Sequence, residues 1–213
     1  MGCCRQCQGL ENLFDKKTAA NELKHYRKKG PSKTTRLLLR AISAAGLSKA
    51  SLLDIGGGVG AIQHELMQAV VERATHVDAS SAYLDASKME AQRRGHADKV
   101  DYYHGDFVTL ALDISAADIV TLDRVICCYP DMPALVRLSS ERATKLYGLV
   151  YPRESWWVKV GMLGINAGFW LLRKPLRFFV HSNQAIDAVV TANGLKRQAH
   201  FKTLLWQVLV YSR

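Results

Sequence analysis

Short apolar runs alternate along this chain with stretches of helical periodicity. Residues 52–55 are apolar apart from Asp54 and end at Gly56, Gly57, Gly58 and Gly60. Ile62, Leu66, Ala69 and Val70 then recur at helical spacing. The alternation repeats. Residues 74–77 read as a strand ending on Asp78, and Ser80 or Ser81 caps a helix through Arg94, stopped by Gly95. Residues 100–103 and 118–122 are the third and fourth strands. Asp131 caps a helix containing 132–138, residues 140–145 form a second helical piece, and 147–151 a fifth strand. Ser182 or Asn183 opens a helix through Ala192, and 195–201 with 204–211 form a closing hairpin. Upstream, residues 10–14 suit one helical turn. Asn21 caps a very basic helix ending at Lys29, before Gly30 and Pro31. Ser32 caps the next helix, whose core face is Leu37, Leu38, Ala41, Ile42 and Ala45, with Gly46 as its stop.

Strand, glycine turn and helix at 51–70 form the opening of a nucleotide-binding βαβ unit. Glycine suits a backbone that turns sharply or approaches a ligand closely. The glycine spacing does not match the G-x-G-x-x-G pattern that seats a pyrophosphate, and Asp54 beside the loop would repel phosphates. Leu53-Asp54-Ile55-Gly56-Gly57-Gly58-Val59-Gly60 resembles the first motif of the class I S-adenosylmethionine (SAM) methyltransferases. The resemblance implies SAM as cofactor, with Asp54 helping to hold its amino-acid end, partly through backbone and water. Asp78, with Ala79 after it, lies about twenty residues past the glycines, where an acid reaches ribose hydroxyls. The family places an acid after the third strand against the adenine amino group, with an apolar neighbour on the ring, and Asp106 and Phe107 match. Asp123, just past the fourth strand, completes the set of three acids that the resemblance implies on the cofactor side. The implied fold is α/β: a doubly wound, seven-stranded, mostly parallel sheet with an antiparallel last strand. Residues 1–36 are expected as an N-terminal tail and helical cap, and 37–213 as the SAM-binding domain with a helical insertion at about 154–180.

That insertion is unusual. From Trp156 and Trp157 to Leu172 the chain is apolar almost all round, too apolar for a free surface helix. It reads as a lid over the substrate, with peripheral membrane contact through 156–172 as a further reading and plain packing as the alternative. Arg173, Lys174 and Arg177 would sit at headgroup level. No apolar signal core or membrane-spanning run occurs, so the chain is expected in the cytoplasm.

The net charge of +10 is segregated. Residues 1–49 carry eleven Lys/Arg against three acids, 50–152 nine against fourteen, and 153–213 nine against two. Basic flanks around an acidic cofactor core favour anionic substrates, acidic membranes or nucleic acid, or serve only as a solvated surface. No Asn/Asp-Pro-Pro-aromatic motif follows the fourth strand, which argues against base methylation, and no RNA-binding module is attached. The oligomeric state is left open.

Methyl transfer needs alignment and exclusion of water more than covalent help. Residues just past the fourth strand face the methyl group in this architecture. The candidates are therefore Arg124 to bind an anionic group, Tyr129 to orient the substrate, and Cys127 and Cys128; His25, Tyr26 and His104 are weaker ones. The expected function is methyl transfer to a small, partly apolar, anionic molecule, O-methylation before S-methylation. One alternative is thiolate-assisted methylation of a soft metalloid, with Cys3, Cys4 or Cys7 folding over. The other is a non-catalytic SAM-binding or RNA-associated protein. A resident metal is not expected, because one Cys-x-x-Cys without a second pair is a poor zinc signature.

Overall fold

The computed structural model describes residue 11, residues 14–174 and residues 176–213. Seven strands, β1 (Ala50–Ile55), β2 (Val71–Asp78), β3 (Val100–His104), β4 (Ala117–Asp123), β5 (Ala143–Pro152), β6 (Lys196–Lys202) and β7 (Trp206–Ser212), form one sheet in the order β3-β2-β1-β4-β5-β7-β6. β1 to β5 pair in parallel, and β7 runs antiparallel between β5 and β6. The strand order reverses between β1 and β4, the crevice where open α/β sheets bind ligands.

Register brings the acids together. Ile55 pairs with Val77 on one side and Leu122 on the other. The residues that follow, Gly56, Asp78 and Asp123, therefore emerge at one edge of the sheet. Asp78 pairs with His104, so the turn to Asp106 starts at that edge too.

Alternate residues of each strand enter opposite layers. Leu53, Val120, Leu149 and Leu209 pack against Leu135, Ile186 and Val190 on one face. Leu52, Ile119, Val150 and Val210 pack against Leu38, Ile42, Ile62 and Leu66 on the other. The helices supplying these residues are α2 (Lys33–Ser43), α3 (Ala61–Leu66), α6 (Met132–Glu141) and α8 (Asn183–Ala192). A separate apolar cluster joins Ala19, Leu23 and Tyr26 of α1 (Lys16–Lys29) to Val59 and to Ala82, Tyr83 and Ala86 of α4 (Ser81–Arg94). The fold is completed by α5 (Phe107–Leu110) and α7 (Trp156–Leu171).

Several expected boundaries move. α1 starts five residues before Asn21, because the Asp15 carboxylate accepts the Thr18 N–H and the buried stripe begins at Ala19. α3 stops at Leu66; Ala69 and Val70 lie in a turn, and β2 begins at Val71 in place of 74. Residues 140–145 are not a helical piece. α6 runs unbroken to Glu141, and β5 begins at Ala143, where pairing with Ala117 outweighs local propensity. Leu204 and Leu205 lie in the β6–β7 turn, outside β7. The division at 36/37 falls inside α2, so cap and core share a helix. Cys3, Cys4, Cys7 and most of the turn expected at 10–14 lie outside the described residues.

Candidate functional site

A cavity of about 490 Å³ opens at the carboxyl edge of the sheet. Its floor is the loop of Gly56, Gly57 and Gly58, with Val59 beyond it. One wall carries Asp78, Ala79, Asp106 and Phe107 from the ends of β2 and β3. A second carries Asp123, Arg124, Cys127, Cys128 and Tyr129. α1 and the start of α2 close it with Glu22, His25, Tyr26, Ser32 and Thr35, and Phe14, Phe178 and Trp206 add an apolar side.

The loop rests directly on buried polar side chains. A methyl group at Gly57 would sit 2.6 Å from His76 Cε1 and 2.7 Å from Asp54 Oδ2, so only glycine lets the backbone settle so low. Gly56 has φ +62 and would meet Val125 at 2.5 Å. Asp54 and Gly60 are therefore placed below the cavity, not on its wall. Asp54 is fully buried, and its Oδ1 accepts from the Thr121 hydroxyl at 2.7 Å. Its Oδ2 has no hydrogen-bond partner among the described residues, nor do His64 Nε2 and His76 Nε2. Burial pushes the Asp54 carboxyl up to about 7, with the Asp123 and Asp78 charges adding to the rise and the Thr121 hydroxyl opposing it. Burial also holds His64 and His76 neutral, each lowered to about 3.

Asp78 is tied to the loop it faces. Its Oδ2 accepts the Gly58 N–H at 2.9 Å and its Oδ1 the Ser80 N–H at 2.8 Å. Burial nonetheless raises it to about 6, against the lowering effect of both N–H groups. Asp106 caps α5 by accepting the Val108 N–H, and the Tyr129 hydroxyl donates to both of its oxygens at 3.0 and 2.9 Å. The Tyr129 hydroxyl is thus directed at an acid on the opposite wall. Asp123 accepts from the Thr35 hydroxyl at 2.5 Å and from Arg124 Nε at 3.0 Å. Arg124 has φ +63, a conformation uncommon without glycine, and its N–H donates to Val150 O. The Cys127 and Cys128 sulfurs are 3.8 Å apart. That contact, followed by burial, pushes the Cys128 thiol well up, so it is protonated near neutrality.

The weaker candidates separate. His25 lines the cavity. Tyr26 does as well, but its hydroxyl donates to Glu65 at 2.6 Å and accepts from Arg94. His104 lies off the wall, 3.2 Å from Ala79 O. Sequence reasoning missed Glu22, Thr35, Tyr83, Phe178 and Trp206. Thr35 alone left a trace, one turn past the Ser32 cap.

The residues present suit SAM. A floor without side chains admits close approach, acids accept from hydroxyl and amino groups, and buried Phe107 offers an apolar face. Each Asp78 oxygen keeps a second lone pair after accepting its N–H. Among the described residues no cluster of three or more His, Cys, Asp or Glu could hold a metal ion.

Residues 53–150 match the family described as "Methyltransferase domain". No curated protein sequence matches the chain. Among solved structures, magnesium protoporphyrin IX methyltransferase from Synechocystis PCC 6803 with bound SAH superposes with a TM-score of 0.75 at 17% identity, covering 98% of this chain and 99% of that one. Geranyl diphosphate C-methyltransferase from Streptomyces coelicolor A3(2) has a TM-score of 0.64 at 15% identity, covering 84% and 76%. A 4+2 cyclase, SpnF, has a TM-score of 0.70 at 12% identity, covering 100% and 98%, so the architecture alone does not dictate the reaction. Residues 53–150 thus match a methyltransferase domain, in a chain that has the fold of the class I methyltransferases.

Proposed function

We propose that this chain methylates a small, partly apolar, anionic acceptor, with oxygen the first expected atom and sulfur the second. One observation carries the reading. The cavity has acids on its cofactor side and Phe14, Phe178, Trp206 and the Arg124 guanidinium around the remainder. When bound, SAM supplies an activated methyl group on a sulfonium. Asp78 would accept from the ribose, Asp106 from the adenine amino group with Phe107 against the ring, and the loop of Gly56, Gly57 and Gly58 would hold the amino-acid end. Asp54 acts on that end only through the loop. Asp123, fixed by Thr35, orients Arg124 toward the acceptor's negative charge. The apolar wall would exclude water and hold an acceptor poorly solvated beside Arg124.

The test is turnover on a panel of aromatic and aliphatic carboxylic acids, phenols and thiols. Magnesium protoporphyrin IX, named in the structurally similar enzyme, belongs in it. A methylated product from an anionic member, lost in Arg124→Gln with SAM affinity retained, supports the reading. Turnover only on neutral amines, or Arg124→Gln active at the wild-type rate, overturns it.

A second reading has one observation in its favour, the paired sulfurs of Cys127 and Cys128 on the cavity wall. Thiolate-assisted methylation of a soft metalloid requires those thiols, so a Cys127→Ser/Cys128→Ser protein would lose it. Binding of SAM without turnover on any acceptor would favour a non-catalytic role. Salt-sensitive RNA binding would favour a nucleic-acid partner.

A further inference from the structure

α7 inverts the usual arrangement of a surface helix. Val158 is its one buried residue. Asn166 and Phe169 face the protein, where Asn166 exchanges hydrogen bonds of 2.7 and 2.8 Å with the Phe178 backbone and the Phe169 ring lies 5.8 Å from that of Phe178. The opposite side carries Trp156, Val160, Leu163, Trp170 and Leu171, a stripe at helical spacing. Trp156, Leu163, Trp170 and Leu171 are 74%, 68%, 70% and 76% exposed. The patch continues onto the β6–β7 turn. Arg153 donates its N–H to Leu205 O and its guanidinium to Thr203 O, which places exposed Leu204 and Leu205 beside the start of α7. Contiguous apolar surface of this kind marks an interaction site.

Length and charge select the partner. At about 1.5 Å per residue, α7 spans roughly 24 Å, short of the roughly 30 Å hydrocarbon core of a bilayer. No helix among the described residues is long and apolar enough to cross a membrane. Residues 155–186 contain no Asp or Glu, but hold Lys159, Arg173, Lys174 and Arg177. Of these, Lys159 pairs with Glu154 at the edge of the stretch. A second copy docked on the same stripe would bring two such cationic sets together, whereas acidic headgroups neutralise them. Tryptophans near both ends suit a helix lying in the headgroup layer.

We propose that α7 and the β6–β7 turn form a docking surface for an anionic lipid bilayer, with α7 lying in the interface plane. Phe178 and Trp206, both on the cavity wall, are anchored to this surface, so docking sets the apolar side of the cavity next to the membrane. Docking stands whatever acceptor is used, because it needs no turnover.

Flotation of the full chain with phosphatidylcholine vesicles, with and without added phosphatidylglycerol, tests it. The chain should float with the anionic vesicles and much less with the neutral ones. Leu163→Glu/Trp170→Glu should weaken partitioning by more than about a hundredfold, as two large apolar side chains leave the interface. Arg173→Gln/Lys174→Gln should weaken it about thirtyfold on anionic vesicles only. Unchanged thermal melting and SAM affinity in both variants show that the fold is intact. No flotation of the parent chain with anionic vesicles overturns the proposal, as does flotation unaffected by Leu163→Glu/Trp170→Glu. A dimer that this pair of changes converts to monomer, with no flotation, overturns it in favour of a second copy.

Discussion

Replacing Asp78 with Asn probes a carboxylate that braces the cavity floor and that the proposed cofactor site would also use. Both oxygens accept backbone N–H groups, from Gly58 at 2.9 Å and Ser80 at 2.8 Å. Asn keeps one oxygen and makes the other position a donor. However the amide turns, one of the two N–H groups then faces a donor. An orphaned buried N–H costs about 1–3 kcal/mol. For a chain of this size that lowers Tm by about 2–12 °C. Loss of the charged acceptor for the ribose costs about 1.5–3 kcal/mol more, so calorimetry should find S-adenosylhomocysteine bound about ten- to a hundredfold more weakly. The pH dependence gives a second readout. The folded carboxyl titrates at about 6, so wild-type affinity should rise as pH climbs through that value and then level off. The Asp78→Asn protein should lack this step. A variant that melts lower yet binds with wild-type affinity and an unchanged pH profile would show that Asp78 only braces the loop.

Three other outcomes are expected. Gly57→Ala should destabilise by about 1–3 kcal/mol and weaken the cofactor, because its Cβ would overlap buried His76 and Asp54. Gly58→Ala, with open space around it at φ +57, should cost only the left-handed penalty of about 1–2 kcal/mol; a Gly57→Ala protein that melts at the wild-type temperature would refute the account of the floor. Asp54→Asn should raise Tm at about pH 8 and leave it unchanged at about pH 4. The folded carboxyl is raised to about 7 from an ordinary 3.8, so the fold retains a proton that the unfolded chain has released, and stability falls as pH rises between those values. A gain of equal size at both pH values would contradict this. Tyr129→Phe removes the donor to Asp106 and should raise the KM for SAM with little change in kcat; a fall in kcat at constant KM would assign the hydroxyl to the acceptor.

The strands were legible because each carries its own apolar run and its own stop. Asn21 is locally as good a cap as Asp15, so the pattern alone does not choose between them. Only Ala19, Leu23 and Tyr26, buried against α4, show that the helix starts earlier. β5 was cut short for a related reason. Residues 143–145 look helical alone, and become strand because β4 is there to pair with.

The glycine floor, Asp78, Asp106 and Asp123 follow consecutive strands of one parallel sheet, so strand order alone carries them to a common edge. Chain pattern places each of them just past a strand, and parallel pairing gathers them at that edge. What the pattern could not settle depends on packing between distant segments. Asp54 and Gly60 sit in the same motif as Gly57, yet they lie under the floor, because the loop settles onto His76 from the neighbouring strand. Thr35 reaches Asp123 from 88 residues away, and Phe178 joins the cavity where Asn166 and the Phe179 N–H to Cys127 O hold its segment. Periodicity marked the stretch that became α7 as apolar all round. Which side would be left to solvent was decided by where Val158, Asn166 and Phe169 found the protein surface.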